Sequence, residues 1–150
     1  MRVLLDTHII LWSLANDSKL SQKARNIIED DGNEIYYSVV SIWETELKHL
    51  MHKVEMPLNG MEAASYCREA GYLELGLSDA HIFTLAELHR KENASPHKDP
   101  FDKILLCQAK QEKMQFLTHD NYCLLTICLI LFLYRISPDV CWYVRIPRGW

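Results

Sequence analysis

The chain starts with an apolar run, Val3-Leu4-Leu5, that meets Asp6-Thr7-His8 without a turn signal between them. A short run with no polar alternation reads as a strand buried on both faces, and such strands belong to parallel sheets covered by helices. Three further runs follow: residues 34–40, β-branched and aromatic, with Ser41 closing them; residues 72–77; and residues 114–118. Helical spacing fills the intervals. It predicts a helix around residues 11–15 and another capped by Ser21, with Ala24, Ile27 and Ile28 on one face, stopped by Asp30-Asp31-Gly32-Asn33. From Ser41, Trp43, Leu47, Leu50 and Met51 recur at i, i+4, i+7 and i+8, an apolar stripe whose expected place is the core. Residues 61–70 form the next helix, and one opened by Ser78 or Asp79 carries Ile82, Phe83, Ala86 and Leu88. Residues 91–98 are a polar loop, and Asp99-Pro100 opens a helix reaching Lys110. This alternation predicts an α/β fold with helices on both faces of a parallel sheet.

A length of 150 residues with 49% apolar and 24% charged content suits one soluble domain that needs no disulfide or metal staple. The net charge of −4 removes the strongly basic balance that announces a nucleic-acid binder, so any such function must come from a site. Five cysteines without CxxC spacing point to a reduced, cytoplasmic chain, and the N-terminus lacks a signal-peptide core. Residues 122–134, YCLLTICLILFLY, are too few for a membrane-spanning helix and read as a buried edge strand or terminal helix, followed by a loosely ordered tail over residues 135–150.

In a parallel sheet, strand ends and the following helix starts converge on one rim. Asp6 ends the first run, Glu44 lies in the first turn after the second, Asp99 and Asp102 open a later helix, and Asp120 follows the last strand. Three of these acids, in two segments, have purely structural readings as well. Ser41-Ile42-Trp43-Glu44 fits a capping box, and Asp99-Pro100-Phe101-Asp102 fits an N-cap with proline at the first helical position. Asp6 and Asp120 follow buried strands, where a carboxylate is costly to desolvate unless something compensates it. Carboxylates clustered at one rim repel, and a hard divalent cation, Mg²⁺ or Mn²⁺, relieves that repulsion while completing its shell with phosphate oxygens. Zinc is disfavoured because the seven histidines show no metal-ligand spacing; His49 and His52, three apart on a helix, do not make a site. The chain lacks a phosphate-cradling glycine loop and a GxSxG elbow. His8 stands where a haloacid-dehalogenase-like phosphatase needs a second Asp, and no acids precede Asp6 as a receiver domain requires. Metal-assisted hydrolysis of a phosphate ester remains.

The blocks VLLDTHIILW, SVVSIWE with Lys48 one turn on, HKDPFDKILLCQA and MQFLTHD occur in this order over about residues 1–122. Together they resemble the PIN-domain family and, within it, the VapC-like toxin ribonucleases of toxin–antitoxin pairs. The resemblance implies an α/β/α sandwich around a central parallel sheet. It assigns Asp6, Glu44, Asp102 and Asp120 as the catalytic, metal-holding acids for Mg²⁺ or Mn²⁺, Asp99 as a further acid near the metal, and Thr7, Ser41 and Thr118 as hydrogen-bonding groups behind them. It implies cleavage of RNA by a metal-activated water, a cognate antitoxin encoded next to the chain, and a homodimer. Setting four acids aside leaves the sixteen Lys and Arg balanced, with Lys48, Lys53, Lys98, Lys103, Lys110 and Lys113 either a basic flank for RNA or a solvated face. His8, His97 and His119 adjoin acids of the set, as phosphate contacts or as structural groups. Trp12, Trp43 and Leu47 belong to the core or, where exposed, to a groove for an amphipathic antitoxin helix. The alternative function is a PIN-like domain that binds RNA or protein without cutting. The chain departs from the family pattern after Tyr122, which divides it into a PIN-like domain over residues 1–122 and an atypical segment over residues 123–150, either an extension or the product of a shifted reading frame.

Overall fold

The computed structural model describes residues 1–90, 99–118 and 142–144. Strand β1 (Arg2–Leu5) is followed by helices α1 (Thr7–Leu14) and α2 (Gln22–Ile28), then β2 (Glu34–Ser38), α3 (Val39–Met51), α4 (Gly60–Glu69) and β3 (Leu73–Leu75). Helix α5 (Asp79–Phe83) runs into a 3-10 turn over Thr84–Glu87, and β4 (Leu88–Arg90), α6 (Pro100–Gln111), β5 (Gln115–Leu117) and β6 (Trp142–Val144) complete the described elements.

Four strands form one parallel sheet in the order β3-β2-β1-β5. β1 is central, pairing Val3 with Ile35 on one side and Leu5 with Leu117 on the other. Both faces of β1 are therefore covered. Val3 and Leu5 pack with Ile9, Ile10, Ala24 and Cys67, from α1, α2 and α4, while Leu4 packs with Val40, Leu105 and Ala109, from α3 and α6. The result is a parallel sheet with helices on both faces, as the alternation of runs and helical spacing predicts. Burial pushes the Cys67 thiol up to about 12 and the Cys107 thiol up to about 11, so neither is a nucleophile near neutral pH.

Helix boundaries follow side-chain capping. Ser21 accepts from the Ala24 amide and starts α2 as expected. β2 ends at Ser38 rather than at Val40, because the Ser38 hydroxyl accepts from the Val40 amide and opens α3 three residues early. The capping box expected at Ser41 and Glu44 is thereby overturned, and Glu44 moves into the second turn. α1 likewise starts at Thr7, directly behind the Asp6 cap. α4 starts at Gly60, one residue before the expected start at residue 61, behind an Asn59–Glu62 capping box. After α4, Gly71 adopts φ +81°, the left-handed conformation that closes a helix and that glycine takes without strain.

The stripe on α3 does not enter the core. Trp43, Leu50 and Met51 are 56%, 69% and 65% exposed, while Val40, Ser41, Glu44 and Thr45 face inward. Helical periodicity identifies two faces but not which one docks. Here the inward face meets α1, where Thr7 binds Glu44. In α5, Ile82 and Phe83 are also exposed and His81 is the buried residue. Leu88, expected in that helix, lies in β4, which pairs antiparallel with β6. Within the expected loose tail, residues 142–144 are thus a strand. The loop at residues 91–98 and the apolar run at residues 122–134 lie outside the described residues. Among the described residues no helix is long and apolar enough to cross a membrane.

Candidate active site at the carboxyl rim of the sheet

The chain builds outward from β1 through β2 to β3, then returns to place β5 on the other side of β1. Strand order reverses there, and open parallel sheets bind ligands outside the carboxyl ends of their strands at such a reversal. Asp6 occupies the point. Its amide continues the β1–β5 ladder by donating to the Leu117 carbonyl at 2.9 Å. Its carboxylate accepts from the Thr118 hydroxyl at 2.6 Å and, more weakly, from the His8 amide at 3.3 Å.

Glu44 is reached from the same turn. The Thr7 hydroxyl, one residue past Asp6, donates to Glu44 Oε2 at 2.6 Å, and Lys48 Nζ donates to Oε1 from one turn further along α3. Asp6 and Glu44 are only 5% and 3% exposed, so both carboxylates depend on these partners for the solvation they have lost. Ser41 stands one turn before Glu44 on the same face of α3. Its hydroxyl is buried and, among the described residues, has no hydrogen-bond partner.

The other expected site residues are distributed unevenly. Asp99 caps α6, accepting from the Phe101 amide at 2.9 Å, so its structural reading holds. Asp102 is half-buried in the first turn of the same helix. Asp120, with His97, Lys98 and His119, lies outside the described residues. Among the described residues, no three His, Cys, Asp or Glu side chains gather closely enough to hold a metal. Glu44 is tied to the turn that carries Asp6 through the hydroxyl of the next residue, Thr7. Of the expected basic flank, Lys48 and Lys110 are paired with Glu44 and Glu87. His49 Nδ1 lies 2.8 Å from the Met56 carbonyl, in keeping with a structural role. Sequence reasoning missed Ser38 as the cap of α3 and Phe101 as a neighbour of Trp43; the serine preceding Val39-Val40 was the available signal for the first.

The His8 imidazole faces Asp6 with Nδ1 3.8 Å from Oδ1, an ion-pair distance. Contact with the Asp6 carboxylate outweighs partial burial and raises His8 above its ordinary value of 6.5. For Asp6, burial works upward, but His8 and the Thr118 hydroxyl prevail and the carboxyl is held below 3.8. The raised His8 contributes stability fully below its unfolded value and loses it as pH rises through the folded one. The depressed Asp6 contributes above its unfolded value and loses it as pH falls through the folded one. The pair therefore stabilises the metal-free chain most between 3.8 and 6.5. In Asp6→Asn, the His8 titration midpoint falls toward its ordinary value when followed by NMR of the imidazole protons in metal-free buffer. An unchanged midpoint excludes Asp6 as the cause.

The donors at this rim are hard oxygens, which suit a divalent cation such as Mg²⁺ or Mn²⁺ rather than a soft metal. Two deeply buried carboxylates and the unsatisfied Ser41 hydroxyl fit a site that exchanges internal partners for such an ion.

The PIN domain family model matches residues 3–124. Among solved structures, the crystal structure of VapBC2 from Rickettsia felis bound to a DNA fragment from their promoter contains a similar chain, with TM-score 0.52 and 15% identity over 79% of this chain and 86% of that one. The likeness is one of fold. No curated protein matches.

Proposed function

The chain belongs to the PIN-domain family, whose members are generally nucleases that use divalent metals, and on that premise we propose that it is a metal-dependent endoribonuclease and the toxin of a toxin–antitoxin pair. The observation that supports this reading most is the Asp6–Thr7–Glu44 linkage at the reversal of strand order, with Thr118 drawing the end of β5 onto Asp6. In the proposed centre Asp6, Glu44, Asp102 and Asp120 hold Mg²⁺ or Mn²⁺, Asp99 anchors the start of α6, and Thr7, Ser41 and Thr118 orient the carboxylates. When bound, the cation supplies a water of lowered pKa and neutralises charge on the phosphate. The protein's part is placement. The Thr7 and Thr118 hydroxyls hold one oxygen each of Glu44 and Asp6, which limits rotation of both carboxylates. Lys48 supplies positive charge that offsets that of Glu44 before a cation arrives, and a protonated His8 does the same for Asp6.

Total cellular RNA incubated with the purified chain in Mg²⁺ or Mn²⁺ is cut to products with 5′ phosphate and 3′ hydroxyl ends, and EDTA stops the cutting. Absence of cutting with RNA binding retained supports the binding-only alternative instead.

The partners proposed are RNA, a second copy of the chain, and an antitoxin, all in the cytoplasm. The structurally similar chain comes from VapBC2 on promoter DNA. An arginine of an antitoxin suits the Asp6–Glu44 rim because its planar fork bonds carboxylates bidentately. The product of the gene immediately upstream is thus expected to bind the chain in co-expression pull-downs and to inhibit it less well in excess Mg²⁺. A neighbour that neither binds nor inhibits removes the antitoxin assignment and leaves the nuclease one.

A further inference from the structure

We propose that Lys48 binds the substrate: it holds Glu44 in the metal-free chain and passes to a phosphate of the RNA once that carboxylate is engaged by a cation, an inference that rests on the ribonuclease reading above. Lys48 Nζ bonds Glu44 Oε1, while the Thr7 hydroxyl holds Oε2 at 2.6 Å. Both carboxylate oxygens thus carry a donor, and the two donors differ in kind. Thr7 offers a buried neutral hydroxyl, which can stay beside a metal-bound carboxylate. Lys48 offers a positive charge, which competes with any cation for the same oxygen. The lysine side chain is 33% exposed and that of Glu44 is 4%, so solvent reaches the lysine but not the acid it holds. Helix side chains lean toward the helix start, which for α3 is the carboxyl rim, so Lys48 reaches back from the third turn toward the site. Its charge is felt across the rim, lowering the proton affinity of His8 where Glu44 raises it, and His8 Nδ1 lies 3.8 Å from Asp6 Oδ1.

A Glu–Lys pair at i and i+4 on an exposed helix face is a common feature that contributes little. Here the acid is buried, and a buried carboxylate cannot lose its positive partner without a replacement. A divalent cation is such a replacement for Glu44, and Lys48, displaced from Oε1, then needs an anion in its turn. The anion that comes to the rim together with the cation is the phosphate of the substrate, because Mg²⁺ and Mn²⁺ complete their shells with phosphate oxygens. A compact ammonium on a flexible four-carbon stem can change partners in this way while α3 stays in place. Lys48 therefore opposes cation binding in the absence of RNA and favours RNA once the cation is bound.

The test pairs two measurements on the full chain. Without RNA, Mn²⁺ affinity is read from the electron paramagnetic resonance signal of the free ion for the unsubstituted chain, Lys48→Arg and Lys48→Met. Lys48→Met is expected to bind Mn²⁺ about tenfold more tightly, because no ammonium competes for Glu44, and Lys48→Arg to stay within about twofold. With RNA, fluorescence anisotropy of a labelled single-stranded oligouridine is followed in Mg²⁺ over a range of KCl concentrations, with Asp102→Asn added to each protein to prevent cleavage. Lys48→Met is expected to bind more weakly and to lower the slope of log affinity against log salt by about 0.7, the share of one phosphate contact on a single strand, whereas Lys48→Arg keeps the slope. A lysine that served the fold alone would neither raise the Mn²⁺ affinity when removed nor change the slope. Because Lys48→Met leaves the Glu44 carboxylate buried without a cation, Glu44→Gln and Glu44→Gln/Lys48→Met form a second pair in which that charge is gone, and their slopes should still differ by about 0.7. Equal slopes in the Glu44→Gln pair, or no gain in Mn²⁺ affinity for folded Lys48→Met, overturn the handover, while cleavage by the unsubstituted chain still upholds the nuclease reading. If the unsubstituted chain neither binds nor cuts RNA, the nuclease reading falls and the handover falls with it.

Discussion

Asp6→Asn and Asp102→Asn are each expected to lower RNA cleavage in Mg²⁺ by at least about 100-fold, the scale on which metal sites respond to loss of a supporting charge. Asparagine preserves the shape and one acceptor oxygen at each position, so the secondary structure seen by circular dichroism should persist. The stability outcome separates two pictures of the rim. Read from sequence, crowded carboxylates repel, and removing one should raise the melting temperature in metal-free buffer. The structure reverses this for Asp6, whose carboxylate His8 and Thr118 hold below its ordinary value in spite of burial. Asp6→Asn should therefore bring no gain in melting temperature at neutral pH. Asp102 sits in the first turn of α6, where a negative charge favours the helix dipole by about 0.3–1 kcal/mol, so its replacement should cost a similar small amount. Near-normal cleavage by both variants would remove the proposed metal centre.

Leu4→Ala is expected to destabilise the chain by about 2–5 kcal/mol, and Leu50→Ala by no more than about 0.5 kcal/mol. Leu4 is fully buried at the centre of the sheet against Val40, Leu105 and Ala109, and truncation leaves a cavity between β1 and the α3–α6 layer. Leu50 belongs to the α3 stripe that periodicity alone would send to the core, yet it is 69% exposed. Chemical denaturation of both variants measures the difference directly. A loss of about 2 kcal/mol or more at Leu50 would mean that α3 docks by its apolar stripe after all.

What was legible in the sequence was whatever depends on neighbours along the chain. The four strands of the parallel sheet, the Ser21 cap, the Asp99 cap and the break after α2 follow from apolar runs and from side chains that bond amides two or three residues away. Misplaced boundaries have the same origin. Ser38 and Ser41 are equally good caps by composition, and the choice fell to Ser38 because its hydroxyl also donates to Gln108 of α6 at 2.6 Å, a contact seventy residues distant. α5 was expected to be longer because nothing local announces that Leu88 pairs with Val144.

The sequence by itself determined that Asp6 closes a strand buried on both faces and that Glu44, Asp99 and Asp102 lie near helix starts, since strand burial and helix phase are properties of short stretches. Only the tertiary structure decided which partners those acids have. Thr7 reaches Glu44 because α1 packs against α3, and Thr118 reaches Asp6 because β5 returns beside β1. It also decided that the polar face of α3 turns inward and Trp43 outward. A helix with one apolar and one polar face can dock by either, and the Thr7–Glu44–Lys48 bonds offset the burial of Glu44 in a way no local rule contains.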